Sequence, residues 1–192
     1  MPIDPPLSDI LLITPEPPGD ERFDLFLDRL HHAVVSGIAL VQLRAKTLDA
    51  KAYRRLAGEA CAVCHRYDAR LILNGGFDEP GDVDADGLHL PSARLMTCES
   101  RPLARSTLVS AACHSREQLL HAQRIGVDFV TLSPVLPTTS HPGEPALGWP
   151  AFRTLAAEVS LPVYALGGMT HDSLSTARTH GAHGVAGISA FW

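Results

Sequence analysis

Gln42, Arg44 and Lys46 alternate with Val41, Leu43 and Ala45. In an extended chain that spacing places one amide and two cations on one face and the apolar residues on the other. Such a trio suits an oxyanion ligand, because charge-assisted hydrogen bonds from arginine and lysine are the strong ones. In a parallel sheet both faces are normally covered, so a charged face is expensive unless it opens at a water-filled rim. A solvated edge strand is the alternative. Two further segments, Leu166-Gly167-Gly168-Met169-Thr170 and Gly187-Ile188-Ser189-Ala190, read as turns whose backbone N–H groups can cradle a phosphate. Glycines that merely permit tight turns are the alternative there. Two such turns after consecutive strands favour the phosphate.

These groups need a frame. Eight short apolar runs of β type recur along the chain: 10–14, 40–44, 71–74, 87–90, 108–112, 129–132, 163–166 and 184–188. Between them, 23–35, 49–67, 115–125, 149–159 and 173–180 carry helical periodicity. Gly37, Gly126 and Gly181 stand where C-caps belong. The segments after the third and fourth strands are short and rich in Pro and Gly, so their helices are expected to be reduced to a turn or an irregular connection. Alternation alone fits a closed barrel or an open doubly wound sheet. The paired anion-binding turns after the last two strands favour one (β/α)8 TIM barrel over residues 1–192, with some helices shortened and the last helix missing. The missing helix should bare apolar surface near the first and eighth strands, and a homodimer is expected to cover it.

The 192 residues are 45% hydrophobic and 19% charged, the profile of one globular domain rather than a disordered chain. Sixteen basic and 21 acidic side chains give a net charge of -5, spread along the chain, which argues against a nucleic-acid or membrane partner. The start, Met1-Pro2-Ile3-Asp4-Pro5-Pro6, lacks signal-peptide character, and no apolar run reaches bilayer length, so a cytoplasmic location is expected. Cys61-Ala62-Val63-Cys64-His65 has the spacing of c-type haem attachment. It lies inside a helical run, and free, small, hydrophobic cysteines are expected instead.

Several motifs, in order, carry a family likeness: Val41-Gln42-Leu43-Arg44-Ala45-Lys46, Asn74-Gly75, Ala85-Asp86-Gly87-Leu88-His89-Leu90, Cys113-His114-Ser115, Ser133-Pro134-Val135-Leu136-Pro137-Thr138, Ala165-Leu166-Gly167-Gly168-Met169-Thr170 and Gly181-Ala182-His183-Gly184-Val185. Over nearly its whole length the chain resembles the thiamin phosphate synthase and thiazole tautomerase (TenI) superfamily. The resemblance implies a thiazole phosphate held by Gly167, Gly168, Ile188 and Ser189, with further contacts from Thr138 and Ser140. For the synthase it implies a pyrimidine diphosphate bound by Gln42, Arg44, Lys46 and Asn74.

Synthases of this family are expected to use Mg2+ held by two carboxylates to stabilise the departing pyrophosphate. At the matching positions stand Gly75 and Arg94, so no metal or other cofactor is expected. Asn74-Gly75, Leu90-Pro91-Ser92 and Gly167-Gly168-Met169-Thr170 resemble the tautomerase branch more closely. That branch implies proton transfer by a histidine. The histidine of that branch falls at Pro134, which leaves His114, His89 and His141 as substitutes; His141 stands where the synthase branch carries a lysine. Each also has a structural reading, as a helix start, a satisfied strand residue and a loop surface respectively. The stretch from Ser133 to Trp149 resembles the TenI-like domain found fused to Nudix hydrolases, which implies a Nudix association. The expectation is a TenI-branch barrel that binds a thiazole phosphate and tautomerises it, with the synthase reaction or a non-catalytic phosphate binder as alternatives.

Overall fold

The computed structural model describes residues 6–19, 22–74, 83–138 and 145–192. Eight parallel strands close on themselves in chain order: β1 (Ile10–Ile13), β2 (Leu40–Arg44), β3 (Arg70–Asn74), β4 (Gly87–Leu90), β5 (Leu108–Cys113), β6 (Phe129–Leu132), β7 (Val163–Leu166) and β8 (Gly184–Gly187). Between the strands lie helices α1 (Phe23–Val35), α2 (Ala50–His65), α3 (Ser92–Thr97), α4 (Arg116–Ile125), α5 (Gly148–Ala156) and α6 (Ser173–Thr179). The expected TIM barrel is therefore the observed architecture, and the segment after β4 keeps a short but regular helix of six residues rather than the turn or irregular connection expected. Residues 75–82, which follow β3, lie outside the described residues. Gly126 closes α4 in the left-handed conformation, while Gly37 and Gly181 follow the caps Ser36 and His180. Among the described residues no helix is long and apolar enough to cross a membrane.

The ladder register decides what each strand turns inward. Pairings such as Ile13 with Gln42, Gln42 with Ile72 and Arg44 with Asn74 put those residues on the lumen face. Leu11, Ile13, Leu40, Ile72, Phe129, Tyr164 and Ala186, with Leu7, form a closed apolar cluster inside the barrel. The Phe129 and Tyr164 rings meet edge to face at 5.4 Å there. Full burial of a side chain such as Phe129 contributes about 2 kcal/mol. This cluster is a plug, not a pore. A larger apolar shell fills the space between strands and helices, with α1 burying Phe23, Phe26, Leu30, Ala33 and Val34 at helical spacing.

Cys61 and Cys64 are buried in α2, where burial pushes both thiols up to about 12. Neutral, buried thiols of this kind are packing groups, as the sequence implied. His65 turns away from them and lies 3.0 Å from Asp86.

The N-terminal ends of the strands are tied by carboxylates that precede them. Asp86 Oδ2 accepts from the Leu71 amide at 2.7 Å, and Asp128 Oδ2 accepts from the Val109 amide at 2.7 Å. Arg101 closes the second of these ties. Its guanidinium donates to Leu103 O, Gly126 O, Thr107 O and Asp128 Oδ2 at 2.6 to 3.0 Å, nearly shielded from water. Removing it would leave the Asp128 carboxylate without its cation and take a donor from three carbonyls. Arg101→Ala is therefore expected to destabilise the protein by about 3 kcal/mol, read as a lower urea midpoint with an unchanged slope; a loss below about 1 kcal/mol would show that water replaces the clamp.

Candidate functional site

At the C-terminal rim the inward residues become polar. Gln42 and Arg44 follow Leu40 on β2, Asn74 follows Ile72 on β3, His89 lies on β4, Ser110 on β5 and Thr131 on β6. Gln42, His89, Ser110 and Thr131 are all buried. Arg44 and Asn74 are half-buried one step nearer the mouth.

The end of β2 is built from its neighbour β1. The Thr14 hydroxyl accepts from the Arg44 amide at 2.9 Å and donates to Arg44 O at 3.3 Å. Glu16 Oε1 accepts from both the amide and the hydroxyl of Thr47 at 2.8 Å, and its Oε2 lies 3.6 Å from an Arg44 guanidinium nitrogen. One carboxylate thus fixes the loop after β2 and partly offsets Arg44. Lys46 corrects the expectation of three polar residues along one strand. β2 ends at Arg44, so Lys46 stands exposed on the following loop and not inside the barrel.

His89 Nδ1 and Ser110 Oγ lie 2.9 Å apart across β4 and β5. Burial without a charged partner pushes the imidazole down to about 3. It is neutral at physiological pH, which suits a hydrogen-bonding group and not the base titrating near neutrality that the sequence suggested. His114 differs. It is exposed just before α4, and its Nδ1 lies 3.0 Å from Ser133 O and 3.2 Å from Ser133 Oγ. A carbonyl can only accept, so the proton of that contact sits on Nδ1 and Nε2 is the ring nitrogen left to face a ligand. Its backbone also serves the helix start: the His114 amide donates to Gln118 Oε1 at 2.6 Å while the Gln118 amide donates to Ser115 Oγ at 3.3 Å.

The last strands end in the two expected turns. Gly167 and Gly168 have φ of +101° and +69°, and a Cβ on Gly167 would sit 2.9 Å from Pro134 Cα. The loop after β6 lies directly on this turn: Val135 N donates to Leu166 O at 2.8 Å and Leu136 N to Gly167 O at 3.1 Å. A side chain at Gly167 would therefore meet both a strained backbone and this loop. Gly168 and Ser189 are exposed and Ile188 is half-buried; the amides of Gly168 and Ser189 meet no acceptor among the described residues. Thr138 is half-buried at the end of the loop. Ser140 and His141 lie outside the described residues, as does Gly75.

The site therefore has a neutral polar floor, cations and an amide on its β2–β3 side, and glycine-bearing turns on its β7–β8 side. Glu16, Ser110, Thr131 and Ser133 are part of it and were not singled out by sequence reasoning. Thr131 and Ser110 carried one signal, a hydroxyl on the inward register of an otherwise apolar strand.

Residues 10–191 match the thiamine monophosphate synthase family. A putative thiamine-phosphate synthase 2 of Aquifex aeolicus is 37% identical over 86% of this chain and 89% of its own length. The thiamine-phosphate synthase of Thermus thermophilus is 33% identical over 94% of this chain and 86% of its own length. In fold, the chain resembles a thiamine phosphate pyrophosphorylase from Pyrococcus furiosus, with a TM-score of 0.75, 23% identity, and coverage of 95% of this chain and 86% of that one. These relatives carry synthase names, which favours the synthase over the tautomerase branch expected from Asn74-Gly75 and Gly167-Gly168.

The neutral His89 makes one prediction. In the pH range between its ordinary value of 6.5 and about 3, the unfolded chain binds a proton that the folded chain refuses. Its contribution is whole above pH 6.5 and is lost as pH falls toward 3. Urea titrations should show wild-type stability falling more steeply with acid than that of His89→Gln, by up to about 1.4 kcal/mol per pH unit; parallel curves would mean that His89 takes up a proton as readily in the fold as in the unfolded chain. The chain belongs to the thiamine monophosphate synthase family.

Proposed function

We propose that this barrel joins a thiazole phosphate to hydroxymethylpyrimidine diphosphate, releasing pyrophosphate. The observation that carries this reading is the divided rim: Arg44, Lys46 and Asn74 on one side, and the exposed amides of Gly168 and Ser189 on the other. Two separate anion-binding regions fit two phosphorylated substrates better than one. In the reaction the bond between the pyrimidine's methylene carbon and the diphosphate oxygen breaks, and pyrophosphate leaves with the bonding electrons. The thiazole ring nitrogen then gives its lone pair to that methylene carbon, forming the new C–N bond. Cations at the departing group lower that barrier because they bind charge that grows in the transition state.

The Mg2+ that the family implies does not fit the described residues. Among them no group of three His, Cys, Asp or Glu side chains is arranged to hold a metal ion. Glu16, a carboxylate at this rim, is committed to Thr47 and Arg44. Arg94, on α3, brings a cation where the family pattern calls for an anion. Arg44, Lys46 and Arg94 are therefore the groups assigned to the diphosphate.

The tautomerase reading survives on one observation, an exposed His114 beside the rim whose Nδ1 is held by Ser133 O. It requires isomerisation of a thiazole carboxylate phosphate that His114→Ala abolishes. A homodimer and association with a Nudix hydrolase are further parts of the proposal. Light scattering at micromolar concentration should give twice the monomer mass, and a monomer would remove the dimer.

The main reading is tested by supplying both substrates with EDTA or with Mg2+. Coupling is expected in both, and Arg44→Ala or Lys46→Ala should lower kcat/KM about 100-fold. Coupling that EDTA abolishes would restore a metal, while isomerisation without coupling would transfer the assignment to the tautomerase branch.

A further inference from the structure

Two buried side-chain polar atoms have no hydrogen-bond partner among the described residues: Gln42 Oε1 and Thr131 Oγ1. Other buried polar side chains are satisfied. Thr14 bonds the Arg44 backbone, His89 pairs with Ser110, His121 Nε2 lies 3.0 Å from Cys98 O, and Ser133 Oγ meets His114. Leaving a buried hydroxyl unpaired is destabilising, so such groups are rare in a free protein without a reason. Both orphans stand on the lumen face, on β2 and β6, which are four strands apart in a ring of eight.

Their depth limits what can reach them. Leu40 and Phe129, two residues earlier on the same strands, already belong to the sealed apolar plug. Thr131 is 1% exposed and pairs in register with Ala112 on one side and Tyr164 on the other. The Tyr164 hydroxyl is not its partner, because it donates to Ser8 O at the opposite end of the barrel. Ala112 offers no polar side chain. Around the same level the other polar groups are Gln42, His89 and Ser110, all uncharged. Arg44 stands one step nearer the mouth. A phosphate has no cation to meet at this depth, whereas a neutral ring with hydrogen-bonding atoms fits it.

We propose that Thr131 is a specificity-determining residue whose hydroxyl hydrogen-bonds the uncharged heterocycle of a substrate seated on the floor of the barrel mouth, with its phosphate groups left at the rim. The Gln42 carbonyl oxygen can only accept, so a ring that reaches it as well would do so with a donor. The inference rests on the proposed synthase reading and adds Thr131, on β6, as a residue that reads the ring.

The test compares wild type, Thr131→Val and Thr131→Ser by calorimetric titration. Hydroxymethylpyrimidine diphosphate, thiazole phosphate and inorganic pyrophosphate are the three probes, and the unfolding midpoint of each ligand-free protein is measured alongside. Valine keeps the shape and suits a strand while removing the hydroxyl. Thr131→Val is expected to weaken one of the two ring-bearing probes about tenfold, with pyrophosphate unchanged and Thr131→Ser near wild type; the weakened probe identifies the ring on the floor. The ligand-free midpoint should stay level or rise in Thr131→Val, because an unpaired hydroxyl has been removed. Unchanged affinity for both ring-bearing probes would overturn the inference while leaving the synthase reading intact. So would an equal loss for pyrophosphate, or a lower midpoint in Thr131→Val that Thr131→Ser restores, since the hydroxyl would then have a structural partner. Wild type that binds neither ring-bearing compound would remove the synthase reading together with the inference.

Discussion

Closing eight parallel strands into one ladder leaves every strand with an inner face and no edge, so the identity of each alternate residue is fixed by how deep in the lumen it falls. In the lower half the lumen is dry and filled, and Leu11, Leu40, Ile72, Phe129 and Tyr164 meet that demand. Near the mouth the same alternation brings Gln42, His89, Ser110 and Thr131 inward. Polar groups are tolerable there only if they find one another, water or a ligand. His89 and Ser110 find one another.

Charge follows the same gradient. A cation on the floor would lose its hydration without a counter-ion, whereas at the rim water and Glu16 share the load on Arg44. Lys46, exposed on the loop beyond β2, keeps its hydration and its reach. The separation gives a ligand a direction: uncharged atoms inward, anionic atoms outward. It also explains why burial depresses His89 so far, since its partner Ser110 is neutral and no carboxylate offsets the desolvation.

Much of this frame is legible in the sequence. The runs 40–44, 87–90, 129–132 and 163–166 coincide with the observed strands because buried parallel strands are short, apolar and sharply bounded. Helix ends were less legible: 49–67 shortens to Ala50–His65, since Asp49 is the cap that accepts from the Ala52 amide, and Tyr67 lies in the turn beyond. In the site, Gln42, Arg44 and the Gly167-Gly168 turn could be read from alternation and composition. Lys46 could not be placed, because where β2 stops depends on the Thr14 hydroxyl at the end of another strand. The role of Thr131 is hidden for a related reason. A hydroxyl in an apolar run says nothing about whether a partner awaits it, and pairing is decided only when the strands close.

The loop after β6 connects these levels. Ser133 ends the inward series that contains Thr131, and within the next three residues the chain lies on the β7 turn through Val135 N to Leu166 O and Leu136 N to Gly167 O. The same loop receives Leu147 N at Pro134 O and Gly148 N at Val135 O, which anchors the start of α5. Gly167 must lack a side chain because Pro134 occupies the space where one would go. A phosphate at the Gly168 amide would thus be held by a turn braced from behind rather than by a free loop, and preorganised amides of this kind bind charge without first having to be ordered. Since the brace begins at Ser133, one continuous stretch of backbone would set both the depth of a ring against Thr131 and the position of a phosphate above it.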